Sequence, residues 1–207
     1  MVVGSAEREG WDTRWVDESS ADVTVVVPAG GGSTRFGSDK LAARLDGTTV
    51  LDHLLAGVPP EWPVVLVGPE RRVARSGVRW VREQPPGGGP LAGVLAGVAV
   101  VETPVAVVVA GDMPFAGPVL PVLVEALRAA GPGVAAAVAL DGEGHANPVL
   151  AGYRVEAVRA AFPGRVHGGR AKRLLDLPHV LVAVRGVGSH DVDTPSDLAR
   201  LRREWHG

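Results

Sequence analysis

The chain alternates short, uniformly apolar runs with longer segments in which apolar residues recur at helical spacing. The short runs are rich in valine and are bounded by glycine or proline, a pattern typical of buried strands. They predict strands at residues 23–27, 63–67, 78–81, 104–110, 134–140 and 179–184, with a further strand candidate at 147–153. The amphipathic segments predict helices at residues 50–58, 91–101, 119–130, 155–162 and 195–205, and a helical segment at 170–177.

Strands that alternate with helices predict an α/β fold with a mostly parallel sheet and right-handed crossovers. The 207 residues suit one domain, and no linker divides them. Residues 1–21 are polar and lack a clear period, with Trp11 and Trp15 as their only large apolar groups. We interpret residues 1–21 as a tail, either disordered or packed weakly on the surface, and residues 22–207 as a single domain.

Composition excludes several classes of function. The formal net charge of −2 gives no electrostatic reason to expect nucleic-acid binding. The absence of cysteine excludes disulfides, thiolate metal sites and a cysteine nucleophile. No run of eighteen apolar residues predicts a membrane span, and the N-terminus lacks the apolar core of a signal peptide. We therefore expect a cytoplasmic protein that does not bind membranes.

A glycine-rich loop follows the first predicted strand, in the sequence DVTVVVPAGGGSTRFGSDK. Gly30, Gly31 and Gly32 let the backbone turn sharply and approach a ligand, since no Cβ stands in the way. Arg35 and Lys40 add positive charge at the carboxyl end of a strand, where ligands bind in open α/β sheets. The loop fits neither the P-loop pattern nor G-x-G-x-x-G. It predicts phosphate binding of another class, with a charged surface turn as the alternative.

Carboxylates follow later strands. Asp112 lies directly after the most apolar predicted strand, and such a carboxylate can bind Mg²⁺ together with phosphate oxygens. The alternative is that Asp112 caps the next helix. Asp191 and Asp193 alternate on an extended segment before the last helix, so both can face one site. The alternative for Asp193 is a role in capping that helix, which Thr194 and Pro195 are expected to begin.

Two further segments are candidates for ligand contact. Residues 83–93 form a second glycine–proline loop, whose exposed backbone groups can read a base or a ribose. Residues 167–173 (HGGRAKR) form a basic cluster that can bind the phosphate of a second substrate. The alternative for residues 83–93 is a plain solvent-exposed loop, and the alternative for residues 167–173 is the solvated start of a helix.

The segment PAGGGSTRFGSDK resembles the signature loop of the nucleotidyltransferases that act on molybdenum cofactor. The resemblance continues in the same order along the chain and covers nearly everything from Asp22 onward. Its further matches are GPLAG at 89–93, GDMPF at 111–115, Asn147-Pro148 with Tyr153 close behind, and DVDTPSDL at 191–198.

The resemblance implies a three-layer, Rossmann-like nucleotidyltransferase fold and dependence on Mg²⁺. It implies transfer of GMP from GTP to molybdopterin cofactor, with release of pyrophosphate. Catalytic roles are implied for Arg35 and Lys40, which would neutralise phosphates, and for Asp112, which would hold the metal with Asp191 or Asp193. The nucleotide-binding residues that the resemblance implies are Ala29, Gly30, Gly31, Gly32, Lys40, Glu83, Gly89 and Asp112.

Three departures from the family pattern leave alternatives open. Pro28 stands where guanylyltransferases usually have leucine and is typical of related cytidylyltransferases, so CTP is an alternative to GTP. Phe36 replaces a usual methionine, and Glu83 replaces a shorter aspartate. The acceptor could also be a phosphosugar, an isoprenoid precursor or phospholactate. An alternative of another class is a nucleotide-binding protein of the same fold that has no catalytic activity.

Overall fold

Every strand and helical segment predicted from the apolar pattern is present in the computed structural model of the chain. The structure describes residues 22–30, 36, 39–141, 143–164, 166, 168–184 and 186–206. The predicted N-terminal tail lies outside the described residues, so the proposed boundary at residue 22 stays a prediction. No helix in the described ranges is long and apolar enough to cross a membrane.

The strands agree with the predictions to within two residues at most ends. They are β1 (Val23–Pro28), β2 (Arg44–Leu45), β3 (Thr48–Thr49), β4 (Val64–Val67), β5 (Arg79–Val81), β6 (Val105–Val109), β7 (Ala136–Leu140), β8 (Ala146–Arg154) and β9 (His179–Ala183). The pair β2 and β3 was not predicted, because two-residue strands are too short to show a period.

The helices follow the predicted amphipathic segments. They are α1 (Val50–Gly57), α2 (Gly89–Ala99), α3 (Val119–Ala129), α4 (Val155–Ala161) and α5 (Pro195–His206). Short 3-10 turns span Lys40–Ala42, Ala171–Asp176 and Gly186–Ser189. One expectation was wrong in detail: the helix expected over residues 91–101 begins at Gly89 and ends at Ala99. The helical segment expected at residues 170–177 is present as the 3-10 turn Ala171–Asp176.

Within the described residues, seven strands form one sheet in the order β5-β4-β1-β6-β8-β7-β9. Strand β8 runs antiparallel to both β6 and β7, and the other neighbouring pairs are parallel. The mostly parallel α/β fold predicted from the sequence is therefore confirmed. The reversed direction of β8 has no local signal, because an apolar run reads the same in either direction.

Helices cover both faces of the sheet, which gives three layers. Apolar side chains of α1 and α3 pack on one face with alternate residues of the strands. Side chains of α2, α4 and the turn Ala171–Asp176 pack on the other face. A smaller cluster joins α5 to β2 and α1 through Leu45, Val50, Phe115, Val192 and Leu201. This third cluster fixes the C-terminal segment near the residues that follow β6.

Helix α2 approaches the sheet closely at Gly97. A Cβ atom at this position would lie 2.3 Å from Val26 Cγ1 and 2.9 Å from Val67 Cγ2. Glycine is therefore needed there for packing, although it is a poor helix former. The close contact fixes the distance between α2 and the central strands, and so the position of the N-terminus of α2.

We predict that Gly97→Ala lowers the melting temperature of the protein. Alanine improves helix propensity by about 1 kcal/mol, but overpacking of a well-packed contact costs about 1–3 kcal/mol. Gly93 is the matched control in the same helix, because nothing lies within 4 Å of a Cβ placed there. Gly93→Ala should preserve or raise the melting temperature, measured by circular dichroism. Equal melting temperatures for the two variants would contradict the close packing at Gly97.

Candidate functional site

The carboxyl ends of three neighbouring strands meet at one edge of the sheet and form the base of a cavity. The main-chain N–H of Ala29, after β1, donates to Val67 O of β4 at 2.7 Å, and the N–H of Gly111, after β6, donates to Pro28 O at 3.0 Å. The cavity has a volume of about 480 Å³. Its described lining is Pro28, Ala29, Gly30, Asp39, Lys40, Leu41, Val67, Arg71, Glu83, Gly87, Gly89, Pro90, Gly93, Ala110, Asp112 and Val149.

A larger groove of about 730 Å³ lies between α2 and α4. Its lining is largely apolar, and its charged members are Arg82, Glu83 and Arg159. Arg159 caps the C-terminal end of α2 by donating to Val98 O at 3.0 Å and to Val101 O at 2.6 Å. We place the candidate site in the smaller cavity, because that cavity collects groups that can bind phosphate and metal.

Lys40 is held by a short turn at the entrance of the cavity. Asp39 caps this 3-10 turn, since its Oδ1 accepts a hydrogen bond from Leu41 N at 3.1 Å. The Lys40 ammonium forms an ion pair with Asp112 Oδ2 and donates to Asp193 Oδ1 at 3.0 Å. Burial lowers the pKa of Lys40, but the hydrogen bond and charge of Asp112, followed by those of Asp193, raise it more, so the net pKa is raised. Lys40 is therefore a permanent cation at neutral pH.

Asp112 lies where β6 ends, and its side chain is 16% exposed. Its backbone carbonyl accepts a hydrogen bond from Val192 N at 2.9 Å, which docks the C-terminal segment against the end of β6. This contact explains how residues 80 positions apart in the chain share one site. The second carboxylate oxygen, Asp112 Oδ1, is buried and has no hydrogen-bond partner among the described residues.

Asp191 and Asp193 flank Val192 and complete a group of three carboxylates with Asp112. One carboxylate oxygen from each residue lies within 4.8 Å of the others. Although Asp191 reaches solvent, partial burial of its carboxyl group raises its pKa, and the negative charges of Asp112 and Asp193 raise it further. Oxygen ligands at this spacing suit a hard divalent cation such as Mg²⁺, and no described residue donates a hydrogen bond to the buried Asp112 Oδ1.

The start of α5 fixes the direction of this acidic segment. Thr194 Oγ1 accepts from Asp197 N at 3.2 Å, and Asp197 Oδ2 accepts from Thr194 N at 2.8 Å and from Asp193 N at 3.3 Å. The capping arrangement expected from Thr194 and Asp197 is therefore present. Asp193 uses its backbone N–H in the cap, while its carboxylate faces Lys40. Asp193 therefore contributes to the helix cap through its backbone N–H and to the site through its carboxylate.

The second glycine–proline loop forms the opposite wall of the cavity. Glu83 Oε1 accepts a hydrogen bond from Gly87 N at 2.9 Å, which holds the loop in a tight turn. Gly87 and Gly89 adopt φ values of +78° and +87°, which glycine tolerates far better than other residues. The N-terminus of α2 begins at Gly89 and borders the cavity. The free N–H groups and dipole of a helix N-terminus favour a bound anion.

The basic cluster lies beside this wall. Gly168 N donates to Gly88 O at 2.9 Å, and Leu91 N donates to Gly169 O at 3.3 Å, so residues 168–169 pack against the start of α2. His167 of the same cluster lies outside the described residues. None of the described residues of the cluster lines the cavity itself.

The structure brings most of the predicted site residues together. Ala29, Gly30, Lys40, Glu83, Gly89 and Asp112 line the cavity, and Asp191 and Asp193 adjoin Asp112. Gly31, Gly32 and Arg35 lie outside the described residues, and the roles expected of them stay predictions. The sequence analysis missed Arg71, which also lines the cavity. Its position after the strand β4 and the turn Gly68-Pro69 was the available signal, since it places Arg71 at the same sheet edge.

Comparisons with known proteins identify the family and the fold. The family model of the MobA-like NTP transferase domain matches residues 25–182. A probable molybdenum cofactor guanylyltransferase of Deinococcus radiodurans is 32% identical over 187 residues, which cover 86% of this chain and 93% of the relative. A probable molybdenum cofactor guanylyltransferase of Chloroflexus aggregans is 36% identical over 141 residues, covering 64% of this chain and 66% of the relative.

A solved structure has the same fold. The crystal structure of molybdopterin-guanine dinucleotide biosynthesis protein A from Archaeoglobus fulgidus superposes with a TM-score of 0.67 at 25% sequence identity. The superposition covers 87% of this chain and 97% of the archaeal chain.

We predict that Asp191→Asn stabilises the metal-free protein at neutral pH. A carboxyl group whose pKa is raised on folding destabilises the folded state when it is ionised, so removing its charge is favourable. The gain should be present above the raised pKa and should vanish as the pH falls below the value of about 3.9 for unfolded aspartate. Urea unfolding in EDTA from pH 7 down to about pH 3 measures this, because the range extends below the pKa of about 3.9 for unfolded aspartate.

The matched control is Asp22→Asn, an exposed aspartate at the opposite end of β1. This variant should show no comparable gain at pH 7. Added Mg²⁺ should make the unaltered protein more stable than Asp191→Asn, because the metal would stabilise the unaltered protein more than the variant. A gain for Asp191→Asn that is independent of pH would contradict the charge repulsion inferred at the site.

Proposed function

Because the chain belongs to the family of MobA-like NTP transferases, we propose that it transfers GMP from GTP to molybdopterin cofactor. The products are a guanine dinucleotide cofactor and pyrophosphate. The observation that carries this proposal is the juxtaposition of Lys40 with Asp112 and Asp193 in a cavity at the carboxyl edge of the sheet. A cation beside a carboxylate cluster suits a metal-bound triphosphate, because the cation can bind phosphate oxygens and the carboxylates can bind the metal ion.

The reaction is an in-line displacement at the α-phosphorus of the nucleotide. An oxygen of the acceptor's terminal phosphate forms the new P–O bond. The bond from the α-phosphorus to the oxygen that bridges to the β-phosphorus breaks, and its electron pair leaves with pyrophosphate. Such a reaction needs little acid–base chemistry, because the attacking oxygen is already anionic. Positioning and charge stabilisation therefore supply most of the rate enhancement.

Lys40 is the cation that we propose for the triphosphate. Its side chain is 20% exposed, so a phosphate oxygen could replace a carboxylate partner of the ammonium from the cavity. Arg35 is proposed to share this role, on the basis of its place in the glycine-rich loop. The N-terminus of α2 begins at Gly89 and places the positive end of the helix dipole at the same cavity, although Pro90 itself has no N–H to donate.

Asp112, Asp191 and Asp193 are proposed to hold Mg²⁺. When bound there, the ion would neutralise charge on the phosphate oxygens of the nucleotide. Asp112 is the central ligand in this proposal, since its Oδ1 is buried and unpaired among the described residues. Lys40 would then exchange its carboxylate partners for phosphate oxygens, because the same carboxylates serve both cations.

The base and ribose are proposed to lie against the wall formed by Ala29, Gly30, Glu83 and Gly89, with Gly31 and Gly32 continuing the loop. The hydrogen bond from Gly87 N to Glu83 holds this loop in shape, and its remaining backbone groups are proposed to contact a base edge. CTP is the alternative nucleotide, since Pro28 and Ala29 match the start of related cytidylyltransferase loops. The shape of this wall is the feature that would distinguish a purine from a pyrimidine.

A panel of nucleotides and acceptors tests the proposal directly. Each of GTP, CTP, ATP and UTP is incubated with Mg²⁺, with and without molybdopterin cofactor, and pyrophosphate release is measured. Release that needs both GTP and molybdopterin supports the proposal, and release with CTP instead would change the assigned base. Turnover with a phosphosugar or another small phosphate would change the acceptor. Nucleotide binding without turnover for any acceptor would favour a binding protein that lacks catalytic activity.

We predict that Lys40→Ala and Asp112→Asn each reduce kcat by about 100-fold or more, because each removes a group that stabilises charge in the transition state. The matched control is Asp141→Asn, an aspartate that also follows a strand but does not line the cavity. It should retain activity. Near-full activity of Asp112→Asn, with a normal dependence on Mg²⁺, would contradict the metal assignment.

A further inference from the structure

Arg71 joins two separate parts of the cavity wall. Its Nη1 donates to Asp39 Oδ2 at 2.5 Å, and its Nη2 donates to Ala29 O at 3.3 Å. The Arg71 side chain is 25% exposed, so the packing around it restricts its conformations. Its Nε is buried and has no hydrogen-bond partner among the described residues. A buried N–H without a partner is unfavourable for stability, so stability alone does not account for this placement.

The two acceptors of Arg71 stand at the two ends of the glycine-rich segment. Ala29 directly follows β1, and Asp39 directly precedes Lys40. The residues between them include Gly30 and Arg35, which the proposed function assigns to the nucleotide. One guanidinium group therefore fixes the start and the end of the segment relative to each other.

Asp39 divides its two carboxylate oxygens between two tasks. Oδ1 caps the turn Lys40–Ala42 through Leu41 N at 3.1 Å, while Oδ2 receives the Arg71 guanidinium. Rotation of the Asp39 carboxylate would disturb both contacts. The direction in which the backbone presents Lys40 to Asp112 and Asp193 thus depends on Arg71 through Asp39.

We propose that Arg71 is a positioning residue for nucleotidyl transfer, acting through Asp39 and Ala29 to hold Lys40 and the ends of the glycine-rich segment in their reactive geometry. This inference rests on the proposed function. A planar guanidinium with two donating NH₂ groups suits two acceptors on different elements, whereas a lysine ammonium is a point charge on a flexible stem. Arg71→Lys should therefore restore only part of the function lost in Arg71→Gln.

The competing interpretation is that Arg71 contacts the triphosphate directly, since it lines the cavity. A double-mutant cycle with Asp39→Asn separates the two. If Arg71 acts through Asp39, each single variant already breaks the same linkage, and the double variant should be no worse than the more damaged single variant. If Arg71 binds phosphate directly, Asp39→Asn leaves that contact in place and the two losses should multiply.

The first measurement needs no substrate. Hydrogen exchange by NMR reports the amides of Leu41 and Ala42, which donate to Asp39 Oδ1 and Asp39 O respectively. In Arg71→Gln we expect faster exchange at these amides and unchanged exchange in the strands β6 and β7. Unchanged exchange at Leu41 would overturn the linkage, whether or not the protein transfers nucleotides. This readout keeps the inference testable if the proposed function fails.

The second measurement is steady-state kinetics of pyrophosphate release with GTP and molybdopterin cofactor. We expect Arg71→Gln to lower kcat by about 10- to 100-fold, the effect of a small misplacement of a catalytic group. We expect a smaller change in KM for GTP and a melting temperature close to that of the unaltered protein. A rise in KM with kcat unchanged would assign Arg71 to nucleotide binding, and a lower melting temperature with unchanged kinetics would make it purely structural.

Arg72→Gln is the matched control, because Arg72 is the adjacent arginine, is exposed and does not line the cavity. It should leave the exchange rates and kcat unchanged. An equal effect of Arg72→Gln would show that positive charge near the cavity, rather than the contacts of Arg71, is what matters.

Discussion

Parallel pairing of β1 with β4 on one side and β6 on the other is the constraint on which the site depends. The register aligns Val26 with Val65 and with Val108, so the three strands end at nearly the same level. The residues that follow each strand must then share one edge of the sheet. Loops that carry Lys40, Arg71 and Asp112 converge for this reason, although they are far apart in the chain. Helix α2 packs closely against β1 and β4 at Gly97, and this contact fixes the distance of the α2 N-terminus from the ends of these strands.

Electrostatic balance is the second constraint. Three carboxylates lie within reach of one ion, and Lys40 pairs with two of them. Three carboxylates this close together repel one another, so the group is unfavourable unless cations accompany it. The pKa of Asp191 is raised by partial burial of its carboxyl group and then by the negative charges of Asp112 and Asp193. A site of this kind gains stability from a divalent cation, which links metal affinity to the stability of the local fold.

The sequence predicted those parts of the site that lie next to a strong local pattern. Asp112 directly follows the most apolar strand, and Lys40 ends a glycine-rich loop that begins at another strand, so both could be assigned to one edge. Arg71 was not assigned, because its one signal is its place after a predicted strand, residues 68–78 have no apolar period, and surface arginines are common. The sequence analysis also expected Asp191 or Asp193 to join Asp112, but it could not show the contacts that bring them together, which are a backbone hydrogen bond from Val192 and the packing of α5.

The direction of β8 shows the same limit at the level of the fold. Its apolar residues predicted a strand, but its antiparallel pairing with β6 and β7 arises from the path of the chain over the whole domain. That pairing has a consequence for the site. Because β8 runs in the opposite direction, its start rather than its end lies at the edge of Asp112, and Val149 reaches the cavity wall there.

Lys40 changes its binding partners in the proposed reaction, so other residues must hold its backbone in place. In the structure the Lys40 ammonium is held by Asp112 and Asp193, and in the proposed reaction it contacts phosphate oxygens instead. A side chain that changes partners cannot also fix its own backbone. Fixed anchors must therefore come from groups that keep their partners in both states. The contacts of Arg71 with Asp39 and Ala29 satisfy this condition, since neither acceptor belongs to the carboxylate cluster. The cavity thus separates the groups that exchange partners from the groups that hold the backbone in place.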